Sequence, residues 1–246
     1  MVSLVKKYYD IVVELLTQVL RDEQENIDKA STVVAEALEN DKIIHVVGAG
    51  HSAMVGEEMF YRAGGLAAID PILDNDITVH HGSLKSTAME HIVGYAEILL
   101  KHHGVSAGDV VIVVSTSGVN QFPVEAAIKS SEMGAKTIGI TSVKYSSQLE
   151  PKNKFGKRLY EVVDVVIDNH VPRGDAVLEV EGFSTRVAPV STILNTFIVN
   201  SIVAETIRKL VEKGVEPPVW ISSHLPGADE YNRALYEKYR SRIKLL

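Results

Sequence analysis

The chain has 246 residues, 46% hydrophobic and 23% charged, with a net charge of -7 and no cysteine. That composition excludes disorder, collagen and coiled coil, and the missing thiols exclude disulfides, thiolate nucleophiles and cysteine-ligated clusters. The acidic balance argues against a nucleic-acid partner, and no apolar run approaches the roughly eighteen residues of a membrane span, so a soluble cytoplasmic protein is expected.

From residue 2 to about residue 39 apolar side chains recur at helical spacing, first through Val5, Tyr8, Val12 and Leu16, then through Ile27, Val34 and Leu38. Two helices are predicted. Residues 42–47 are short, β-branched and apolar on both faces, and break into Gly48-Ala49-Gly50-His51-Ser52 ahead of a helical stretch to about Arg62. The same order returns with a strand at 109–114, the turn Ser115-Thr116-Ser117-Gly118 and a helix at 123–133. A third strand, 136–140, ends in Thr141-Ser142. Strand candidates at 66–72 and 162–168 complete about five parallel strands, an α/β, doubly wound, flavodoxin-like sheet. Between them one helix is expected over 86–102. A β-hairpin at 176–187 precedes a helix at 192–211 that is apolar nearly all round, the kind buried against a second subunit. An amphipathic helix over 228–244 carries Tyr231, Tyr236 and Tyr239 and closes the chain. The expected organisation is an N-terminal helical segment (1–40), a core domain (41–215) and a C-terminal tail (216–246), assembled as a homodimer or a dimer of dimers.

In a doubly wound sheet the ligand lies beyond the carboxyl ends of the strands, and three such ends here carry glycine or hydroxyl residues. A glycine turn lets backbone N–H groups approach an anion, the following helix adds partial positive charge, and Ser or Thr hydroxyls donate further bonds. This is a phosphate cradle without lysine. Neither loop continues into Lys-Ser or Lys-Thr, so the Walker pattern is absent. The dinucleotide fingerprint is incomplete as well, with Asp70 the sole acidic candidate for a ribose, and no cofactor is expected.

Gly48-Ala49-Gly50-His51-Ser52, Ser115-Thr116-Ser117-Gly118 with Asn120, and Gly134-Ala135-Lys136-Thr137-Ile138-Gly139-Ile140-Thr141 closely resemble the sugar isomerase (SIS) phosphosugar-binding domain over about residues 30–215. The tail Pro218-Val219-Trp220-Ile221-Ser222-Ser223-His224 with Gly227-Ala228-Asp229-Glu230-Tyr231-Asn232 is similar to an uncharacterised branch of single-domain members often labelled phosphoheptose isomerase-like. The resemblance implies a sugar phosphate as ligand, its phosphate held by Ser52, Ser115, Thr116, Ser117 and Asn120.

Aldose–ketose isomerisation needs a group that moves a proton between adjacent carbons and a second that opens the ring. Glu90 and Glu97 are seven apart and share one face of the expected 86–102 helix, and Glu90, nearer its start and beside His91, is the candidate base. His51, inside the first glycine loop, and His224, in a Ser-Ser-His turn, are the candidate assistants; in related isomerases a C-terminal histidine assists ring opening, sometimes across the dimer. The adjacent pairs His80-His81 and His102-His103 point apart on a regular element, so no metal site is expected. In phosphoheptose isomerases the catalytic glutamate follows the first-loop serine on the same helix, whereas here Arg62 stands at that place with Glu57 and Glu58 off register. Heptose isomerisation is set aside on that departure. Gly94-Tyr95-Ala96-Glu97 only partly echoes the Gly-x-Glu-Asp context of the N-acetylmuramic acid 6-phosphate etherases. The basic run at 144–158 reads as a solvated loop, or as a flexible lid bringing Lys154, Lys157 or Arg158 to the ligand. Isomerisation of a sugar phosphate is the leading expectation. An amino-sugar phosphate lyase or etherase, and a non-catalytic sugar-phosphate sensor, are the alternatives.

Overall fold

The computed structural model describes residues 3–246. β1 (Ile44–Gly48), β2 (Ile69–Ile72) and β3 (Val110–Val114) are buried at every position; β3 is an unbroken run of branched apolar residues, while β1 and β2 bury His45 and Asp70 as a pair bonded at 2.9 Å. With β4 (Lys136–Thr141) and β5 (Val165–Asp168) they form one parallel sheet in the order β2-β1-β3-β4-β5. The order reverses direction between β1 and β3, and a crevice opens there beyond the strand ends.

One face of the sheet is covered by α1 (Leu4–Glu39) and α7 (Ser191–Glu212). Val19, Ala30 and Val34 of α1 and Leu194, Ile198 and Ile202 of α7 pack on Val46, Ile112, Ile138 and Ile167. On the other face α4 (Tyr95–His102) and α5 (Gln121–Glu132) bring Leu99, Leu100, Phe122 and Ala126 onto Val47, Ile72, Val111 and Val113. A third cluster joins Trp220, Tyr239 of α8 (Ala228–Tyr239) and Ile243 to Ile43 and Ala68 at the edge of the sheet. Among the described residues no helix is long and apolar enough to cross a membrane.

Several expected boundaries move, each for a tertiary reason. The N-terminal segment is one 36-residue helix instead of two. The polar stretch around Glu23 stays helical because that buried carboxylate accepts the Asp168 backbone N–H at 3.1 Å and the Asn26 amide at 2.8 Å. The helix after β1 is shorter than expected, a 3₁₀ turn (Gly50–Ala53) running into α2 (Met54–Met59). Residues 66 and 67 pair with the C-terminal tail instead of β1, Ala67 N–H donating to the Pro218 carbonyl at 2.7 Å, and the contact with β1 begins at Ala68, whose carbonyl accepts the Ile44 N–H at 2.9 Å.

The expected 86–102 helix is two helices. α3 (Ser83–Met89) ends at Glu90, and the chain turns through Gly94 before α4 begins. Gly94 has φ +87°, and its N–H meets both oxygens of the Glu125 carboxylate at 3.0 and 2.8 Å. Glu90 and Glu97 therefore do not share a helical face. Glu97 lies on α4 and pairs with Lys101 at 2.7 Å and Lys129 at 3.6 Å. β6 (Ala176–Leu178) and β7 (Val187–Pro189) form the hairpin that leads into α7.

Candidate active site

The first wall of the crevice is the turn after β1. A Cβ on Gly48 would lie 2.7 Å from the carbonyl carbon and oxygen of Ser52, so only glycine lets the 3₁₀ turn fold back over the strand end. Gly50, at φ +57°, donates its N–H to Ile77 at 2.9 Å and pins the turn to the loop that follows β2. His51 and Ser52 are thereby placed on the crevice.

The second wall is the turn after β3. Ser115 N–H donates to Ile140 at 3.0 Å, and its hydroxyl accepts the Gly118 N–H at 3.2 Å. Gly118 has φ +60°, and a Cβ there would stand 2.7 Å from the Thr141 hydroxyl. Thr141 and Ser142 are buried and brace this loop from behind, donating to the Thr116 carbonyl at 3.3 and 3.1 Å; they do not line the crevice. Asn120 precedes α5 with extended backbone, yet its side chain makes no capping bond and faces Glu90 instead.

Glu90 closes the crevice from the end of α3, its carbonyl accepting the Phe122 N–H at 3.0 Å. Burial raises its carboxyl above the ordinary glutamate range, and the Asn120 side chain and the charge of His91 offset part of that rise. The resulting cavity, about 290 Å³, holds His51, Ser52, Glu90, Ser115, Thr116, Ser117 and Asn120 on shared walls. Tyr145 of α6 (Val143–Ser147), Asp175 and Ser191 complete it. Asp175 has φ +67°; it accepts the Val190 and Ser191 N–H groups at 3.0 and 2.8 Å and the Ser191 hydroxyl at 2.6 Å, so its carboxylate caps α7. Spacing along the chain does not connect residues 145, 175 and 191 to the two loops. A polar residue ahead of the long helix was their one local signal.

The other expected site residues lie elsewhere. His224 lines a separate cavity of about 280 Å³ with Tyr61, Arg62, Trp220, Ser222 and Ser223. The basic run is no flexible lid. Arg158 donates to the Ser146 and Leu149 carbonyls at 3.1 and 2.8 Å, Lys154 approaches the fully buried Glu125 at 3.4 Å, and Lys152 N–H donates to Val119 at 2.8 Å. Lysine and arginine are absent from the described residues lining the crevice. Asp70 is buried beneath two histidines within β2 and is out of reach of a ribose.

A five-stranded parallel sheet of order 2-1-3-4-5, with hydroxyl-rich turns on both sides of its reversal point, defines a doubly wound α/β protein with a polar crevice at that point. The SIS domain model matches residues 7–142, and the chain belongs to that family. It is 44% identical to a UPF0309 protein of Listeria innocua over 99% of this chain and 98% of the relative, and 42% identical to a UPF0309 protein of Geobacillus kaustophilus over 99% and 97%. Among solved structures, a phosphoheptose isomerase from Francisella tularensis shares the fold with a TM-score of 0.56 at 16% identity, over 85% of this chain and 100% of that one.

Proposed function

We propose that the chain interconverts an aldose phosphate and the corresponding ketose phosphate. The observation that carries this reading is the position of Glu90, a carboxyl raised by burial, on the same small cavity as the Ser52 and Ser115-Thr116-Ser117 loops. In this mechanism the hydroxyls of Ser52, Ser115, Thr116 and Ser117 and the Asn120 amide donate to the phosphate oxygens, and the N-terminus of α5 adds its partial positive charge. The anchored phosphate holds the reacting carbons beside Glu90. The carboxylate takes the proton from C2 of the open aldose to give an enediol and returns it to C1 to give the ketose, while His51 moves the hydroxyl proton and opens the ring. A raised carboxyl suits this work, because its conjugate base is stronger than an ordinary glutamate.

His224 enters this scheme from a second copy of the chain, since within one chain it lines a different cavity. The proposed assembly is a homodimer or a dimer of dimers in which the tail of one copy reaches the crevice of the other.

Incubation in D₂O with aldose, ketose and N-acetylamino-sugar phosphates, followed by NMR, tests the reading. Interconversion with deuterium at C2, lost in Glu90→Gln, is the expected result. Release of a substituent would make the protein a lyase acting through the same base. Absence of turnover with a ligand that still raises the melting temperature would make it a sensor.

A further inference from the structure

The walls of the crevice differ in the direction of their hydrogen bonds. In the turn after β3 the Ser115 hydroxyl accepts the Gly118 N–H at 3.2 Å and keeps its own proton for a ligand. At the start of α7 the case is reversed. The Ser191 hydroxyl donates its single proton to Asp175 Oδ2 at 2.6 Å, so its remaining capacity is to accept. Oδ1 of Asp175 takes the Val190 and Ser191 N–H groups at 3.0 and 2.8 Å, which fills it. Among the described residues Oδ2 takes that one hydroxyl and retains a lone pair.

Capping α7 does not account for the whole arrangement. The cap is made by Oδ1 alone, and the bond from Ser191 Oγ satisfies no backbone group. Its effect is to commit the hydroxyl proton, leaving two oxygens from separate parts of the chain that line the crevice and can only accept. Both are held firmly. Asp175 stands at φ +67°, a conformation that aspartate and asparagine tolerate, with its N–H on the Pro172 carbonyl at 2.9 Å, and the Tyr8 hydroxyl donates to the Pro189 carbonyl at 2.6 Å just ahead of α7. A phosphate group offers acceptors and negative charge, so this wall repels it and the hydroxyl loops attract it.

We infer that Asp175 and Ser191 are specificity-determining residues that read the sugar end of the ligand by accepting hydrogens from its hydroxyl or ammonium groups. This selectivity rests on the proposed function, which puts the phosphate on the Ser52 and Ser115-Thr116-Ser117 loops. The class of substrate follows from it. A polyol or amino-sugar phosphate brings the donors that the two oxygens lack, whereas a phosphosugar acid sets a second carboxylate against Asp175 and a hydroxyl whose proton is already committed.

Calorimetric titration of the full chain with glucitol 6-phosphate and 6-phosphogluconate tests it, since the two differ only at C1, an alcohol against a carboxylate. Glucitol 6-phosphate is expected to bind at least about tenfold more tightly. In Asp175→Asn the amide oxygen still caps α7 and the same φ is tolerated, but the amide nitrogen can donate, so 6-phosphogluconate should gain and the ratio should fall about tenfold. A capping role alone would weaken both ligands equally. Ser191→Ala should weaken glucitol 6-phosphate by about threefold to tenfold, the worth of one hydrogen bond. Tighter binding of glucosamine 6-phosphate than of glucose 6-phosphate would identify an ammonium as the donor, and equal binding a hydroxyl. Thr116→Ala/Ser117→Ala should weaken every ligand, inorganic phosphate included. Equal affinity for the alcohol and the acid, or a ratio unmoved by Asp175→Asn, would overturn the pair and leave the phosphate crevice standing. Failure of inorganic phosphate and every phosphosugar to bind would overturn the crevice and the pair together.

Discussion

The carbonyl of Glu90 accepts the backbone N–H of Phe122 at 3.0 Å, which fastens the end of α3 to the first turn of α5. Four residues on, Gly94 donates to the buried Glu125 of the same helix. The candidate base is therefore held at two points by the helix whose N-terminus faces the crevice, and a carboxylate so placed keeps its geometry without a ligand.

Glu90→Gln should lower turnover by roughly 10²–10⁴-fold, the usual contribution of general base catalysis, while leaving the ligand-induced rise in melting temperature intact. The acid limb of the pH–rate profile of the unmodified protein should lie above the ordinary glutamate range, because burial favours the protonated form. An unchanged rate in the variant would remove Glu90 from the mechanism.

Gly48→Ala should destabilise the chain by about 1–3 kcal/mol, since the added methyl meets backbone that cannot rotate away. Urea unfolding measures the loss. Phosphosugar affinity should fall with it, because the turn carrying Ser52 has to open.

Mixing Glu90→Gln with His224→Ala should restore activity if the tail of one copy serves the crevice of another. Each mixed dimer then contains one site with both residues intact. Recovery is read as turnover after joint refolding, and its absence would confine any His224 role to its own chain or to none.

The buried cluster beneath β1 should shape stability against pH. His45 is raised, so its contribution is complete below the unfolded value near 6.5 and is lost as pH rises through the folded value. Asp109 is lowered to about 2, despite the opposing effect of burial, by the His45 imidazole 3.6 Å away and by bonds from Ile43 and Ser106, so its contribution is present above about pH 4 and is lost as pH falls towards 2. That shift corresponds to about 2 kcal/mol at neutral pH. Urea midpoints measured across the range should decline at both ends, and His45→Gln should flatten the alkaline decline.

The sheet and the two turns above it were legible in the chain because their causes are local. Branched apolar runs at 42–47 and 109–114 make buried parallel strands, and the glycine and hydroxyl residues that follow are needed where a backbone turns tightly. Seven expected residues, His51, Ser52, Glu90, Ser115, Thr116, Ser117 and Asn120, accordingly lie on one cavity. The break between Glu90 and Glu97 was not legible, since its cause is Glu125 reaching back to Gly94 from a helix 31 residues away. Nor was the fate of the basic run, whose lysine and arginine side chains are tied to Glu125, Ser146 and Leu149. Local pattern determined which strands form and where an anion cradle could stand. Tertiary packing decided that Tyr145, Asp175 and Ser191 share the crevice and that His224 lies apart, because such meetings depend on how helices settle across the sheet, and no spacing along a chain encodes that distance.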